Sequence, residues 1–212
     1  MHGCTYCYAK YMKRFTGHHE AWGAFVDVKK NAVSLLQREL RRKKPGKVWL
    51  SGTCDPYQPI EEQMNITREC LRLLLKNGWP VTIQTKSPLI LRDLDLLVKS
   101  QSINVVISIT TAKDMIRKVF EPRAPSIHDR LQALTTLNAS RVPTSAMIAP
   151  LLPYSEELLP QLRDIVDFII IDKMNYKNLN IPYLGYQLSA ICPICHQHIE
   201  THNVHIHHVQ EI

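Results

Sequence analysis

The chain has 212 residues, 45% of them hydrophobic and 21% charged, with a formal net charge of +7. That length and balance predict one domain with a sizeable core and exclude a disordered, tail-like composition. No run of about 18 apolar residues exists, which excludes a membrane-spanning helix. The N-terminus carries no apolar signal segment, so the chain reads as cytoplasmic, and its six cysteines as metal ligands or buried thiols rather than disulfides.

The first stretch, His2-Gly3-Cys4-Thr5-Tyr6-Cys7-Tyr8-Ala9, sets two thiols two residues apart with an aromatic directly before the second. By itself Cys-x-x-Cys is open between a redox dithiol, a zinc knuckle and an iron–sulfur loop. Asp27 to Arg42 then reads as a helix, with Val28, Ala32, Leu35, Leu36 and Leu40 at helical spacing and Pro45-Gly46 ending it. The cations Arg41 to Lys44 suit a solvated helix end, although the net charge also admits a nucleic-acid partner. A strand over Lys47 to Leu50 runs into Ser51-Gly52-Thr53-Cys54-Asp55-Pro56. Helix Glu61 to Lys76, strand Pro80 to Thr85, helix Leu89 to Lys99 and strand Asn104 to Ile109 follow. Helix Ser126 to Leu137, strand Pro143 to Ile148, helix Glu156 to Ile165 and strand Asp167 to Ile171 complete five strand–helix alternations. Short continuous apolar strands are buried on both faces, which predicts a parallel sheet covered by helices. Polar residues after such strands sit where α/β barrels place their chemistry.

Several residues are candidates on these grounds. Ser51, Gly52 and Thr53 lie at a strand end, Lys86 follows another, and Ser108 lies within a third. Glu121, Arg123, Asp129 and Arg130 read as a structural ion-pair set, Asp93 and Asp95 as caps or solvated groups, and Cys54 as a buried structural thiol in preference to a third thiol near the mouth. Asn178 to Leu188 loses periodicity. Beyond it lie Cys192-Pro193-Ile194-Cys195 and Val204 to Val209, which hold two cysteines and clustered histidines. The expected division is a core over 1–176, a linker over 177–190 and a Cys/His-rich tail over 191–212. The tail resembles the opening of an HNH nuclease, and Cys192, Cys195, His207 and His208 are candidate zinc ligands. No nuclease activity is expected of it.

The run HGCTYCYA resembles the second and third cysteines of the Cys-x3-Cys-x2-Cys loop of radical S-adenosylmethionine (SAM) enzymes. With SGTCDPYQPIE, TKSPLILRDLDLL, ISITT, FEPRAPS and IAPLLP in order, the chain resembles the branch that includes spore photoproduct lyase. YMKRFTGHHEAWGAFVDVK and DFIIIDKMNYKNLNIPYLGYQ resemble the radical SAM mobile pair proteins, B member. The resemblance implies an α/β fold, a partial (βα)6 barrel lacking its first strand, with the first cluster cysteine expected just before Met1. Cys4 and Cys7 would be two ligands of a [4Fe–4S] cluster. Tyr6 would lie along the adenine of SAM with Tyr8 nearby, and Ser51, Gly52, Thr53, Lys86 and Ser108 would contact SAM. The implied activity is reductive cleavage of SAM to a 5′-deoxyadenosyl radical, in a chain that is truncated at the front and inactive if the missing ligand is essential. A flavodoxin or ferredoxin reductant and a companion radical SAM protein are the implied partners. The competing readings are a zinc-binding nucleic-acid module carried by the tail and a non-catalytic partner of that companion.

Overall fold

A computed structural model describes residues 2–51 and 53–172 and the backbone of His205–His208. Six strands form one sheet: β1 (Val48–Leu50), β2 (Val81–Thr85), β3 (Ile103–Ser108), β4 (Thr144–Ile148), β5 (Phe168–Ile171) and β6 (His205–His208). Their spatial order follows the chain. β1 to β5 are all parallel, in registers such as Val81 opposite Ile103 and Val105 opposite Thr144. β6 pairs antiparallel with β5, Ile171 facing His205. The five predicted strands are therefore the five parallel ones, and β6 comes from the stretch read as a tail.

Parallel neighbours taken in sequence order require right-handed crossovers that all return over the same face. Helix α1 (Ala32–Leu40) precedes β1, and α2 (Glu61–Met64), α3 (Ile66–Lys76), α4 (Leu94–Leu97), α5 (Asp114–Phe120), α6 (Ile127–Ala139) and α7 (Leu159–Leu162) lie in those connections. Among the described residues the sheet is open, an arc of a barrel with β1 and β6 at its edges. Its core joins Ile83, Val105, Ile107, Ala146, Ile148 and Ile169 to Leu71, Leu74, Leu134 and Leu137 of the helices.

The helices differ from expectation where side chains intervene. The predicted Glu61 to Lys76 helix divides at Asn65, which is left-handed (φ 53°), a conformation that Asn tolerates. The Glu61 carboxylate then accepts from the Thr67 and Arg68 amides at 3.0 and 3.3 Å and caps α3. Leu89 to Lys99 resolves into a 3-10 turn, Pro88–Asp93, followed by α4. Glu156 to Ile165 similarly becomes a 3-10 turn and α7, with Pro160 in its first turn. Asp93 corrects its assignment as a cap or solvated group. It is fully buried and accepts from the Tyr57 hydroxyl, Arg68 Nη1 and Arg92 Nε, each at 2.9 Å. Asp95 is half-exposed and pairs with Arg68.

Candidate active site

The cysteine loop is held down at both ends. Cys7 N–H donates to the Cys4 carbonyl at 3.2 Å, which closes a turn between the thiols, and a 3-10 segment, Tyr8–Phe15, follows. Thr5 donates its amide and its hydroxyl to the Phe120 carbonyl at 2.8 and 3.2 Å. Arg123 N–H donates to the His2 carbonyl at 3.2 Å. Gly23 (φ +86°) packs so closely that a β-carbon there would stand 2.7 Å from Gly3 Cα. The loop thereby lies over the ends of β2 and β3 and closes one side of a cleft of about 1240 Å3, ample for a cofactor-sized ligand.

Glu121, just past α5, is the hub beneath the loop. It is wholly buried, as is Arg130 of α6, whose Nη2 donates to Glu121 Oε2. The Tyr6 hydroxyl donates to Oε1, Thr110 Oγ1 donates to the same oxygen at 3.3 Å, and Lys86 Nζ stands 3.9 Å away. Arg130 is further fixed by donating to the Ser108 and Pro125 carbonyls at 3.0 and 3.1 Å. Burial opposes charge on Glu121, but Arg130 and Lys86 outweigh it and hold the carboxyl below its usual range. Burial likewise opposes the Lys86 ammonium, while Cys4 and Glu121 beside it raise its pKa. Burial and the adjoining Glu121 push the Tyr6 phenol well up.

Asp55 anchors the other side. Its carboxylate accepts from Thr85 Oγ1 at 2.6 Å, Lys86 N–H at 2.7 Å and Tyr57 N–H at 2.9 Å, and His2 Nδ1 lies 3.4 Å away. Burial lowers the His2 pKa, with Asp55 opposing, and Nε2 of this buried ring has no hydrogen-bond partner. Ser51 sits at the end of β1 with φ 112°, backbone strain stored at the cleft edge.

The structure brings Cys4, Cys7, Tyr6, Tyr8, Ser51, Thr53, Lys86 and Ser108 to this one cleft. Gly52 lies outside the described residues. Ser108 is buried and accepts from Gln84 Nε2 at 3.1 Å. Cys54 departs from expectation. It is exposed and faces the cleft, because Asp55, one residue on, turns inward and leaves the thiol at the rim. The expected ion-pair set divides as well. Glu121 pairs with Arg130, Asp129 caps α6 through Ser126, and Arg123 donates to the Gly23 carbonyl at 2.5 Å. Of the tail, Cys192 and Cys195 lie outside the described residues, and His207 and His208 are described only as backbone of β6. The sequence reading passed over His2 and Asp55. The signal for them was present, since both flank polar strand-end or thiol motifs.

Burial holds the Cys4 thiol neutral, its pKa pushed up to about 11, with the Lys86 ammonium lowering it. A buried thiol next to a cation loses its proton readily once a metal supplies further positive charge. Two thiols on one turn suit an iron–sulfur cluster. Among the described residues no three His, Cys, Asp or Glu side chains converge on one metal position, and the loop presents two thiols.

The sequence model of the radical SAM superfamily matches residues 1–166. The uncharacterized protein MJ0683 of Methanocaldococcus jannaschii is 32% identical over 179 residues, covering 83% of this chain and 67% of that one. Among solved structures, spore photoproduct lyase complexed with dinucleoside spore photoproduct aligns with a TM-score of 0.57 at 16% identity, over 77% of this chain and 49% of that one. Streptococcus suis SuiB bound to S-adenosylmethionine aligns at 0.53 and 15% identity, over 74% and 36%. These likenesses show a shared fold, and the chain spans about half the length of the lyase. Among the described residues no helix is long and apolar enough to cross a membrane.

Proposed function

The chain belongs to the radical SAM superfamily, and we propose that it binds a [4Fe–4S] cluster and S-adenosylmethionine and cleaves the latter reductively to a 5′-deoxyadenosyl radical. The observation that carries this is the meeting of the Cys4–Cys7 turn with Tyr6, Ser51, Lys86 and Ser108 in one cleft at the carboxyl ends of parallel strands. Active sites of α/β barrels occupy that end.

Cys4 and Cys7 would hold the cluster, which when bound supplies the electron for breaking the sulfonium bond. The chain's own residues bind, orient and shield. Tyr6, anchored through its hydroxyl to Glu121, offers a ring face fixed in angle for an adenine. Tyr8 stands at the rim beside it. Ser51 and Thr53, with Gly52 between them, supply polar groups at the end of β1. Lys86 carries positive charge at the cleft floor that suits a carboxylate, and Ser108 a hydroxyl. The reductant would be a small flavodoxin- or ferredoxin-like donor, and a companion radical SAM protein remains a proposed partner.

Anaerobic reconstitution of the 212-residue chain, iron quantitation, and assay of 5′-deoxyadenosine from SAM and dithionite test this reading. A second form with a cysteine placed directly before Met1 is run alongside. Iron binding and 5′-deoxyadenosine in at least one form, both lost in Cys4→Ala and Cys7→Ala, are expected. Absence of iron from both forms would overturn it.

A further inference from the structure

The 3-10 segment Tyr8–Phe15, YAKYMKRF, leads directly out of the cysteine loop and buries only Ala9. Tyr11 is 52% exposed, Met12 40% and Phe15 72%, an unusual concentration of apolar surface on a polar face. Lys10 precedes them and Lys13 and Arg14 stand between Met12 and Phe15, with no acidic residue in the segment. Arg14 lies over the Tyr11 and Phe15 rings, 5.7 and 4.7 Å from their centroids, so the guanidinium links both rings into one array. Lys10 and Lys13 donate to the neutral carbonyls of Thr5 and His19. Among the described residues none of the three cations meets a carboxylate, and their charge is not neutralised. The two nearby carboxylates, Glu20 and Asp27, are both engaged by His18. Tyr11, Met12 and Lys13 line the cleft, so the array runs from the cysteine loop outward along its rim.

We propose that this rim binds single-stranded nucleic acid, with unpaired bases stacking on Tyr11 and Phe15 and phosphates meeting Lys10, Lys13 and Arg14. Flat rings alternating with unneutralised cations match a strand that alternates bases with phosphates. An acidic peptide would use the cations and leave the rings without a role. A bilayer is planar and cannot follow a rim into a cleft. The inference names the substrate class for the radical chemistry proposed above and takes only its location from that reading, because strand binding requires no cluster.

The test uses the full chain and fluorescence anisotropy with 12-nucleotide thymidine and uridine oligonucleotides, a duplex of equal length, a polyglutamate peptide and phosphatidylserine vesicles. Single strands are expected to bind in preference to all others, with a log–log salt slope of about −2 for three phosphate contacts. Lys13→Gln with Arg14→Gln lowers that slope by about 1.4. Tyr11→Ala with Phe15→Ala weakens binding about tenfold or more with the slope retained. Unchanged thermal melting shows that these surface variants fold. The thymidine and uridine arms distinguish a DNA from an RNA ligand. Failure of the single strands to bind, binding indifferent to these substitutions, or equal binding of duplex, peptide or vesicle overturns the proposal. Oligonucleotide binding in a protein that takes up no iron would sink the enzyme reading and leave this one standing.

Discussion

Arg130→Met removes one partner from a fully buried ion pair and leaves Glu121 with Lys86 at 3.9 Å as its nearest cation. Breaking such a pair costs about 3–5 kcal/mol, because the remaining charge has no water to return to. For a chain of this size that is a large share of a total stability of about 5–15 kcal/mol, and at roughly 2–4 °C per kcal/mol it lowers Tm by about 6–20 °C. Urea denaturation at pH 7 measures it, with Glu121→Gln and the double variant completing a mutant cycle. The double variant should recover at least about 1 kcal/mol of the summed single losses, as expected for residues in direct contact.

The pH dependence of the same cycle has a fixed sign. Glu121 has a native pKa held below the ordinary 4.5. Its stabilisation is therefore fully present above 4.5 and is lost as pH falls from there through the depressed native value. Glu121→Gln, with nothing to protonate, should show a shallower fall in urea midpoint below pH 4.5 than the parent chain. A loss under about 1 kcal/mol for Arg130→Met would put the pair in the class of exposed surface bridges and refute the hub.

Three further outcomes follow from the same geometry. In the iron-free protein, alkylation of Cys4 should be slow and rise about tenfold per pH unit between pH 7 and 9, since burial pushes its thiol pKa up to about 11, while exposed Cys54 reacts faster than Cys4; peptide mapping by mass spectrometry reads both. Tyr57→Phe takes a hydrogen bond from the buried Asp93 carboxylate and should cost about 1–3 kcal/mol in urea denaturation. Ser126→Ala breaks the capping box in which Ser126 and Asp129 satisfy each other's backbone amides, and should cost about 1 kcal/mol.

The parallel strands were legible because each is a short apolar run such as INVVIS, buried nearly throughout. The sheet's single winding follows from their regular alternation with helices. Helix α5 was not legible, since DMIRKVF interleaves the buried Ile116 and Phe120 with charged residues, and even Arg117 is buried through its bonds to the Glu121 and Ala124 carbonyls. Strand β6, HIHH, has no apolar alternation to announce it. Asp93 is buried because Tyr57 and Arg68 reach it from other segments, beside its own neighbour Arg92, and no local pattern encodes those two distant bonds. The cleft was legible residue by residue, from motifs at strand ends. Its wiring was not: Tyr6 meets Glu121 across 115 positions, a pairing that only the fold creates.

That wiring divides the cleft electrostatically. Beneath the cysteine loop Glu121 and Asp55 are set against Arg130 and Lys86, and burial keeps His2 neutral, so the charges of these four groups balance before any ligand arrives. A balanced floor can stay dry without the cost of an isolated buried ion. It also leaves Lys86 positioned between Glu121 and the Cys4 thiol, where it favours negative charge arriving at the cysteine loop. The rim has no such balance. Lys10, Lys13 and Arg14 donate to carbonyls or stack on rings, so their field extends into solvent at the cleft's entrance. An incoming anion therefore meets attraction first at the rim and paired charges behind it. Selection by charge belongs to the entrance, and selection by shape and hydrogen bonding belongs to the floor.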